Sequence, residues 1–489
     1  MELKKILIGL DNLKAKGNLD IDIKNIECDS RKVTKDTLFV AITGYDVDGH
    51  DFIDDAINNG ATAVIVENVE KLRNSKKMNN ATIIVTDNSR HALAIASCNF
   101  YDNPSRKFKL IGITGTKGKT TTTYMIKTLL EAQGKKVGLI GTIENFIGED
   151  SLGESDRTTP ESLELQRYFA KMCENKVEYV VMEVSSQALK LHRVDGCDFD
   201  VGVFTNFSKE HISEKEHADI EEYFNSKLKL FDMCKMAFIN IDDFRGSKVK
   251  KYAKCEVKTY GIDNICDLLA KDITITNVGV DFKAKIGQRN ERIKVDIPGR
   301  FSVYNSLAAI SVALYYGCST ETIKTALENI KVPGRSELVP NNKELSIMID
   351  YAHSPESLQN ILQAVKTYTK GRVILVFGCG GDRDKTKRPI MGEIAGRIAD
   401  YSIVTSDNPR TEDPNMIIKD IEKGISKTKG KYEIIVDRKE AIEKAIKMAN
   451  KKDIVILAGK GHEPYQEINK VKHPFDERII VKDILDNMK

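Results

Sequence analysis

The stretch KLIGITGTKGKTTTT, residues 109–123, decides the fold. KLIGIT is an apolar run of strand length. After the glycine turn, Tyr124, Met125, Leu129 and Ala132 recur at helical spacing, and Gly134 suits the helix end. Strand, glycine loop and helix form the context of a phosphate-binding loop, in which backbone N–H groups and a helix N-terminus face the phosphates. Gly115, Thr116, Lys117 and Gly118 would line the loop, and Lys119 would reach the terminal phosphates of ATP. Thr120 would offer its hydroxyl to Mg²⁺, with Thr121 assisting. The strict G-x-x-x-x-G-K-[ST] spacing is not met, because Ile113 stands where the first glycine belongs, with Gly112 and Gly115 on either side. A chance glycine turn is the bland alternative, but it leaves the fit of both strand and helix unexplained.

Working outward, strand-like runs recur at 137–141, 179–184, 201–205 and 237–241, with helical patterns between them, and a more polar alternating patch spans about 255–297. This rhythm predicts a mostly parallel α/β sheet. Before it, TLFVAI (37–42), TAVIVE (62–67) and TIIVTD (82–87) alternate with helices. After Pro333-Gly334 the rhythm returns at 346–350, 373–378, 401–406, 433–437 and 454–459. The expected organisation is three α/β domains. Residues 1–103 form an N-terminal α/β domain, 104–333 a central P-loop ATPase-like domain and 334–489 a doubly wound, Rossmann-like domain.

Composition excludes several classes. Of the 489 residues 30% are charged, yet the formal net charge is only +3, which argues against a dedicated nucleic-acid binder. Nine cysteines without a C-x-x-C pair fit neither a disulfide framework nor a zinc site and suit a reducing cytoplasm. No signal-peptide core and no apolar run of ~18 residues is found, so no membrane span is expected.

A second constellation lies at strand ends. Glu183 lies next to last in the strand-like run YVVMEV, and His211 follows VGVFT; together they could hold a divalent ion beside the phosphates. Each could equally be an ordinary strand-end acid or a surface histidine. In DIEEYFNSKLKLF (219–231), Tyr223, Phe224, Leu228 and Phe231 mark an apolar face; at about 100° per residue Lys227 falls within it and Lys229 opposite. A neutral Lys227 could take up CO₂ as a carbamate and become an anionic metal ligand; snorkelling or an ion pair would also accommodate it.

Together these motifs resemble the Mur ligase family, which shares its loop with folylpolyglutamate synthetases. Within that family they resemble the ligases that add the third residue of the cell-wall stem peptide, over essentially the whole chain. The resemblance implies UDP contacts at Ser30, Tyr45 and Asp46 within DSRKVTKDTLFVAITGYDVDGHDFI (29–53), and muramoyl-dipeptide contacts at Thr158, Thr159, Ser185 and Arg193. It makes Lys119, Glu183, His211 and Lys227 the catalytic and metal-binding set, with Lys227 carbamylated. It assigns Asn305, Arg335 and Asp350 to ATP. Amino-acid contacts fall on Arg383, Asp407, Asn408, Pro409, Arg410, Gly459 and Glu463.

Arg410 can pair bidentately with a distal carboxylate, which suits meso-2,6-diaminopimelate; D-N-P-R read alone would be a plain turn. The implied substrates are ATP, UDP-N-acetylmuramoyl-L-alanyl-D-glutamate and a diamino acid, with Mg²⁺ as cofactor and a monomeric cytoplasmic enzyme expected. L-lysine and meso-lanthionine are alternative amino acids, and a folylpolyglutamate-type ligase, a P-loop kinase or a dinucleotide oxidoreductase are alternative classes. The last would need glycine at Arg383 in GCGGDR. The chain departs from the family at Lys117, where asparagine is common, at Glu210, which replaces an aspartate, and at Leu191.

Overall fold

The computed structural model describes residues 1–45, 47–72, 77–155, 157–210, 212–213 and 216–488. The chain packs into two compact units, Met1–Asp267 with Ala308–Cys318 and Leu268–Leu307 with Ser319–Lys489. The class is α/β throughout, as the alternation of short apolar runs and amphipathic stretches predicts.

In the first unit the N-terminal residues build a five-stranded sheet in the order Lys14–Lys16, Thr82–Val85, Ala61–Val66, Thr37–Val40, Asn25–Glu27. All neighbours are parallel except the first pair. One face packs Leu38, Val40, Ile65 and Ile84 under Ala92, Leu93 and Ala96 of the helix Ser89–Phe100.

The larger sheet of this unit places Lys109–Thr114 between Tyr179–Glu183 and Phe199–Phe204, parallel to both. Val137–Ile140 adds beyond Tyr179–Glu183, and Cys234–Asn240 then Glu256–Gly261 add beyond Phe199–Phe204, again in parallel. The four inner strands Val137–Ile140, Tyr179–Glu183, Lys109–Thr114 and Phe199–Phe204 are buried on both faces, which is why they read as largely apolar runs, while the outlying Glu256–Gly261 is half exposed and mixed in polarity. Their shared direction brings the residues after Thr114, Glu183 and Phe204 to one edge, where open α/β sheets hold ligands. Two strands that the sequence did not disclose, Glu144–Ile147 and Asp150–Glu154, continue the sheet in antiparallel fashion; both are mixed in polarity.

In the second unit, Leu268–Ile275, Val280–Ile286 and Arg289–Val295 form an antiparallel meander, the form taken by the alternating patch. The C-terminal sheet runs Glu337–Leu338, Ser346–Asp350, Ile454–Ala458, Val373–Phe377, Tyr401–Val404, Lys431–Ile434, parallel after the first pair. Helices Pro355–Lys366, Lys387–Ile398 and Pro414–Ile425 cover one face and Arg438–Met448 and Glu477–Asn487 the other, giving the doubly wound form expected. A small hairpin, Tyr465–Ile468 with Val471–Pro474, stands apart from this sheet and was not legible in the sequence. Among the described residues no helix is long and apolar enough to cross a membrane.

Candidate active site

The failed glycine spacing has a physical explanation. Gly112 lies inside the strand, where a Cβ would come within 2.7 Å of the Phe199 ring; it serves packing rather than phosphate. Gly115 is the loop glycine: it sits at φ +150°, and a Cβ would fall 1.9 Å from Thr205 Oγ1. That hydroxyl in turn donates to the carbonyl of Lys117 at 2.7 Å, and Asn206 Nδ2 donates to the same carbonyl at 2.9 Å. Gly118, at φ +82°, caps the helix Lys119–Ala132 with no side-chain bond and no acid in the first turn. Helices such as Ser89–Phe100, Ile220–Leu228 and Pro414–Ile425 begin instead on Asn88, Asp219 and Asp413, whose side chains accept from first-turn N–H groups. The Lys119 helix therefore keeps its positive end available for an anion.

Lys119 Nζ donates to the carbonyls of Gly115 and Thr116, at 2.9 and 3.1 Å. Lys227 is 2% exposed, as its place on the apolar face predicts, while Lys229 is exposed. Lys227 Nζ also donates to Gly115 O at 2.9 Å and lies 4.4 Å from the Tyr223 ring centroid. Burial, reinforced by the Lys119 charge, pushes the Lys227 ammonium well below the usual lysine range.

Glu183 is almost fully buried at the strand end. Thr120 Oγ1 donates to its carboxylate at 3.1 Å; Thr142 donates twice, from N at 2.9 Å and from Oγ1 at 3.1 Å. Gly141 makes room, since a Cβ there would sit 2.6 Å from Glu183 Oε1. The donor set is hydroxyl and carboxylate oxygen, the kind a hard cation such as Mg²⁺ takes. Thr142 lies far from Glu183 in sequence and no motif announced it. His211 lies outside the described residues.

The residues matched to the muramoyl dipeptide gather on the same edge. Thr158 Oγ1 is 3.0 Å from Thr142 Oγ1, and Thr159 Oγ1 donates to Glu183 O at 2.9 Å and accepts from Ser185 N at 3.1 Å. Buried Arg193 donates to Thr159 O at 3.1 Å and pairs with Glu161 at 2.9 Å. Two departures from the family pattern meet here: Lys117 Nζ forms an ion pair with Glu210.

Ser30 borders a cavity of about 720 Å³ lined also by Arg31, Phe39, Val47 and Asn59. Tyr45 is 52% exposed, and Asp46 lies outside the described residues.

The second unit holds the remaining residues. The Arg335 guanidinium stacks 4.7 Å from the Tyr351 ring, and Asp350 accepts from Ser336 N (2.7 Å) and Ala352 N (2.9 Å); Asn305 is buried. Around the D-N-P-R turn, Asn408 donates to Glu463 Oε2 at 2.7 Å and accepts from Lys460 Nζ at 2.9 Å. Burial pushes the Asp407 carboxyl up, but Lys460 and Arg438 outweigh it and hold it below the ordinary range. Burial holds Glu463 above its ordinary value, against the pull of Lys460. Asp407 Oδ2 is buried without a hydrogen-bond partner and lies against Gly459, where a Cβ would be 2.5 Å from it. Pro409 is buried, Arg383 exposed and Arg410 partly covered. Sequence reasoning missed Lys460, which is fully buried, and Glu467, which pairs with Arg410.

These features define a P-loop ligase of modular α/β build, and comparison with known proteins agrees. Residues 22–101 match the Mur ligase family catalytic domain, 113–313 the Mur ligase middle domain and 334–461 the Mur ligase glutamate ligase domain. The chain belongs to the Mur ligase family. It is 49% identical over 486 residues, 99% of each chain, to the UDP-N-acetylmuramoyl-L-alanyl-D-glutamate--2,6-diaminopimelate ligase of Caldanaerobacter subterraneus subsp. tengcongensis. It is 48% identical over 488 residues, again 99% of each, to the first such ligase of Clostridium acetobutylicum. A solved structure of a UDP-N-acetylmuramoyl-L-alanyl-D-glutamate--2,6-diaminopimelate ligase superposes with a TM-score of 0.72 at 31% identity, covering 99% of both chains.

Proposed function

We propose that this chain is the ATP-dependent ligase that joins meso-2,6-diaminopimelate to UDP-N-acetylmuramoyl-L-alanyl-D-glutamate in peptidoglycan synthesis. The observation that carries the reading is the full-length likeness to ligases named for that amino acid. A folylpolyglutamate-type activity is not favoured, because residues 22–101 match the Mur ligase catalytic domain. L-lysine lacks the distal carboxylate that Arg410 would bind; meso-lanthionine keeps one and is the closer competitor.

In this reading the γ-carboxylate of the D-glutamyl residue attacks the γ-phosphorus of ATP and expels ADP. The amine of the incoming amino acid then displaces phosphate from the acyl phosphate. Gly115–Thr121 cradle the phosphates, Lys119 leaves the loop carbonyls for the γ-phosphate, and Arg193, Thr158, Thr159 and Ser185 hold the dipeptide. Ser30, Tyr45 and Asp46 take the uridine diphosphate. Asn305, Arg335 and Asp350 contact the nucleotide, and Arg383, Asp407–Arg410, Gly459 and Glu463 receive the amino acid. Thr120, Glu183, His211 and Lys227 as carbamate would hold Mg²⁺, which when bound neutralises charge on phosphoryl oxygens. The working limits of the three domains are 1–103, 104–333 and 334–489, and the enzyme acts as a cytoplasmic monomer.

Phosphate release with ATP, the UDP-dipeptide and a panel of meso-diaminopimelate, meso-lanthionine and L-lysine tests this directly. Turnover should be fastest with meso-diaminopimelate and absent in Lys119→Ala. No release with any amino acid rejects the reading, and a preference for L-lysine rejects the assigned substrate.

A further inference from the structure

The hairpin Tyr465–Ile468/Val471–Pro474 is bound, residue by residue, to the D-N-P-R turn. Gln466 Nε2 donates to Asp407 O at 2.6 Å, and Glu467 N donates to Asn408 Oδ1 at 2.9 Å. Arg410 N donates to Glu467 O at 3.0 Å, Asn469 N donates to Arg410 O at 2.7 Å, and Arg410 and Ile468 form a parallel bridge. Arg410 itself is left-handed, at φ +52°, a conformation that costs a non-glycine residue roughly 1–2 kcal/mol and persists where its surroundings enforce it. Here the two backbone bonds to the hairpin enforce it.

The side chain is held as firmly. Arg410 Nε donates to Glu467 Oε2 at 3.2 Å, and Nη1 donates to Gly381 O at 2.7 Å. Anchors on two different nitrogens fix both the position and the plane of the guanidinium. Gly380 leaves it space: a Cβ there would stand 2.9 Å from Nη1. Side-chain exposures of 20% for Arg410 and 24% for Glu467 set this pair apart from solvated surface pairs, which contribute little. With Nε on Glu467 and one Nη1 hydrogen on Gly381, Nη2 and the second Nη1 hydrogen are left to meet a planar carboxylate.

We propose that Glu467 is a positioning residue for amino-acid choice, aiming Arg410 at the distal carboxylate of the incoming diamino acid from the frame of the hairpin. The inference rests on the reading that Arg410 makes that contact. Glu467 does not touch the amino acid; its carboxylate holds the base that does.

Steady-state kinetics of the full-length enzyme test this. Glu467→Ala should raise KM for meso-diaminopimelate about tenfold, with kcat and the KM values for ATP and the UDP-dipeptide unchanged, and should narrow the preference over L-lysine by a similar factor. Glu467→Gln, which keeps an acceptor of the same reach, should restore most of the loss. Glu467→Asp, one methylene short, should behave like alanine. If Arg410→Ala raises KM for the amino acid but Glu467→Ala does not, the positioning role is overturned while the reading of Arg410 stands. If Arg410→Ala also leaves that KM unchanged, the reading of Arg410 falls and the inference falls with it. If all Glu467 variants raise every KM alike and lower the melting temperature together, the role is structural and the inference is rejected.

Discussion

Lys227 has no freedom to reach water: it is 2% exposed, and it shares the Gly115 carbonyl with Lys119. Burial and the neighbouring Lys119 charge both favour the neutral amine. A neutral amine beside a cationic loop can add CO₂, releasing a proton and gaining a carbamate anion. Lys227→Ala should lose about tenfold or more in turnover, equivalent to ~1.4 kcal/mol or more, and formate or acetate should restore part of it. A folded, inactive variant that no short-chain acid rescues would reject the carbamate. His462 illustrates the opposite consequence of burial. Desolvation, with Arg335 and Arg478 adding to it, lowers its pKa to about 3, and its Nδ1 is buried without a partner. Between about 3 and the ordinary value near 6.5, the unfolded chain takes up a proton that the fold refuses. Stability is therefore fully present above about 6.5 and is lost as pH falls toward 3. Moving from pH 7.5 to pH 5 should cost wild type about 1–2 kcal/mol more than His462→Gln, measured by urea unfolding at the two pH values. Equal losses would show that the imidazole is not the group responsible.

At the scale of elements, the hairpin after residue 464 turns through Asn469 and Lys470, at φ +49° and +65°. Two consecutive left-handed residues in a two-residue loop make a type I′ turn, whose twist suits a hairpin and whose second position favours glycine. Asn469 tolerates the conformation; Lys470 is strained by it. Lys470→Gly should raise stability by ~0.5–1 kcal/mol and leave activity unchanged, as read by thermal unfolding. A fall in the melting temperature would mean that the Lys470 side chain contributes more than its backbone costs. The helix Lys119–Ala132 shows the reverse economy: it opens on glycine without a side-chain cap, giving up only about a few tenths of a kcal/mol against a capping side chain. A glycine start leaves no side chain between the helix N-terminus and a phosphate.

Taken whole, the molecule is held together by its apolar sheets rather than by cross-links. All nine cysteines are free thiols, most of them buried or half-buried, and the sulfurs of the neighbouring Cys234 and Cys255 stand 3.5 Å apart. Burial first, and then the Cys255 neighbour, pushes the Cys234 thiol above its ordinary range, so it stays protonated and unreactive. The melting temperature should therefore be the same with and without reductant; a drop of several degrees on reduction would reveal a stabilising disulfide. The family likeness likewise belongs to the whole chain, since three successive family domains account for most of its length.

Local sequence determined the parts that depend on neighbours in the chain. Strand, loop and helix at 109–132 follow from apolar runs and glycine placement, and the burial of Lys227 follows from its angle on a helix. The parallel class follows from strands apolar on both faces. Tertiary structure alone decided which distant residues meet. Thr142 reaches Glu183 from 41 residues away, Lys117 finds Glu210 from 93, and Glu467 reaches Arg410 from 57. No periodicity carries such pairings, because each depends on how strands order in the sheet and where a hairpin lands. For the same reason the role of Gly112 was invisible until Phe199 lay against it.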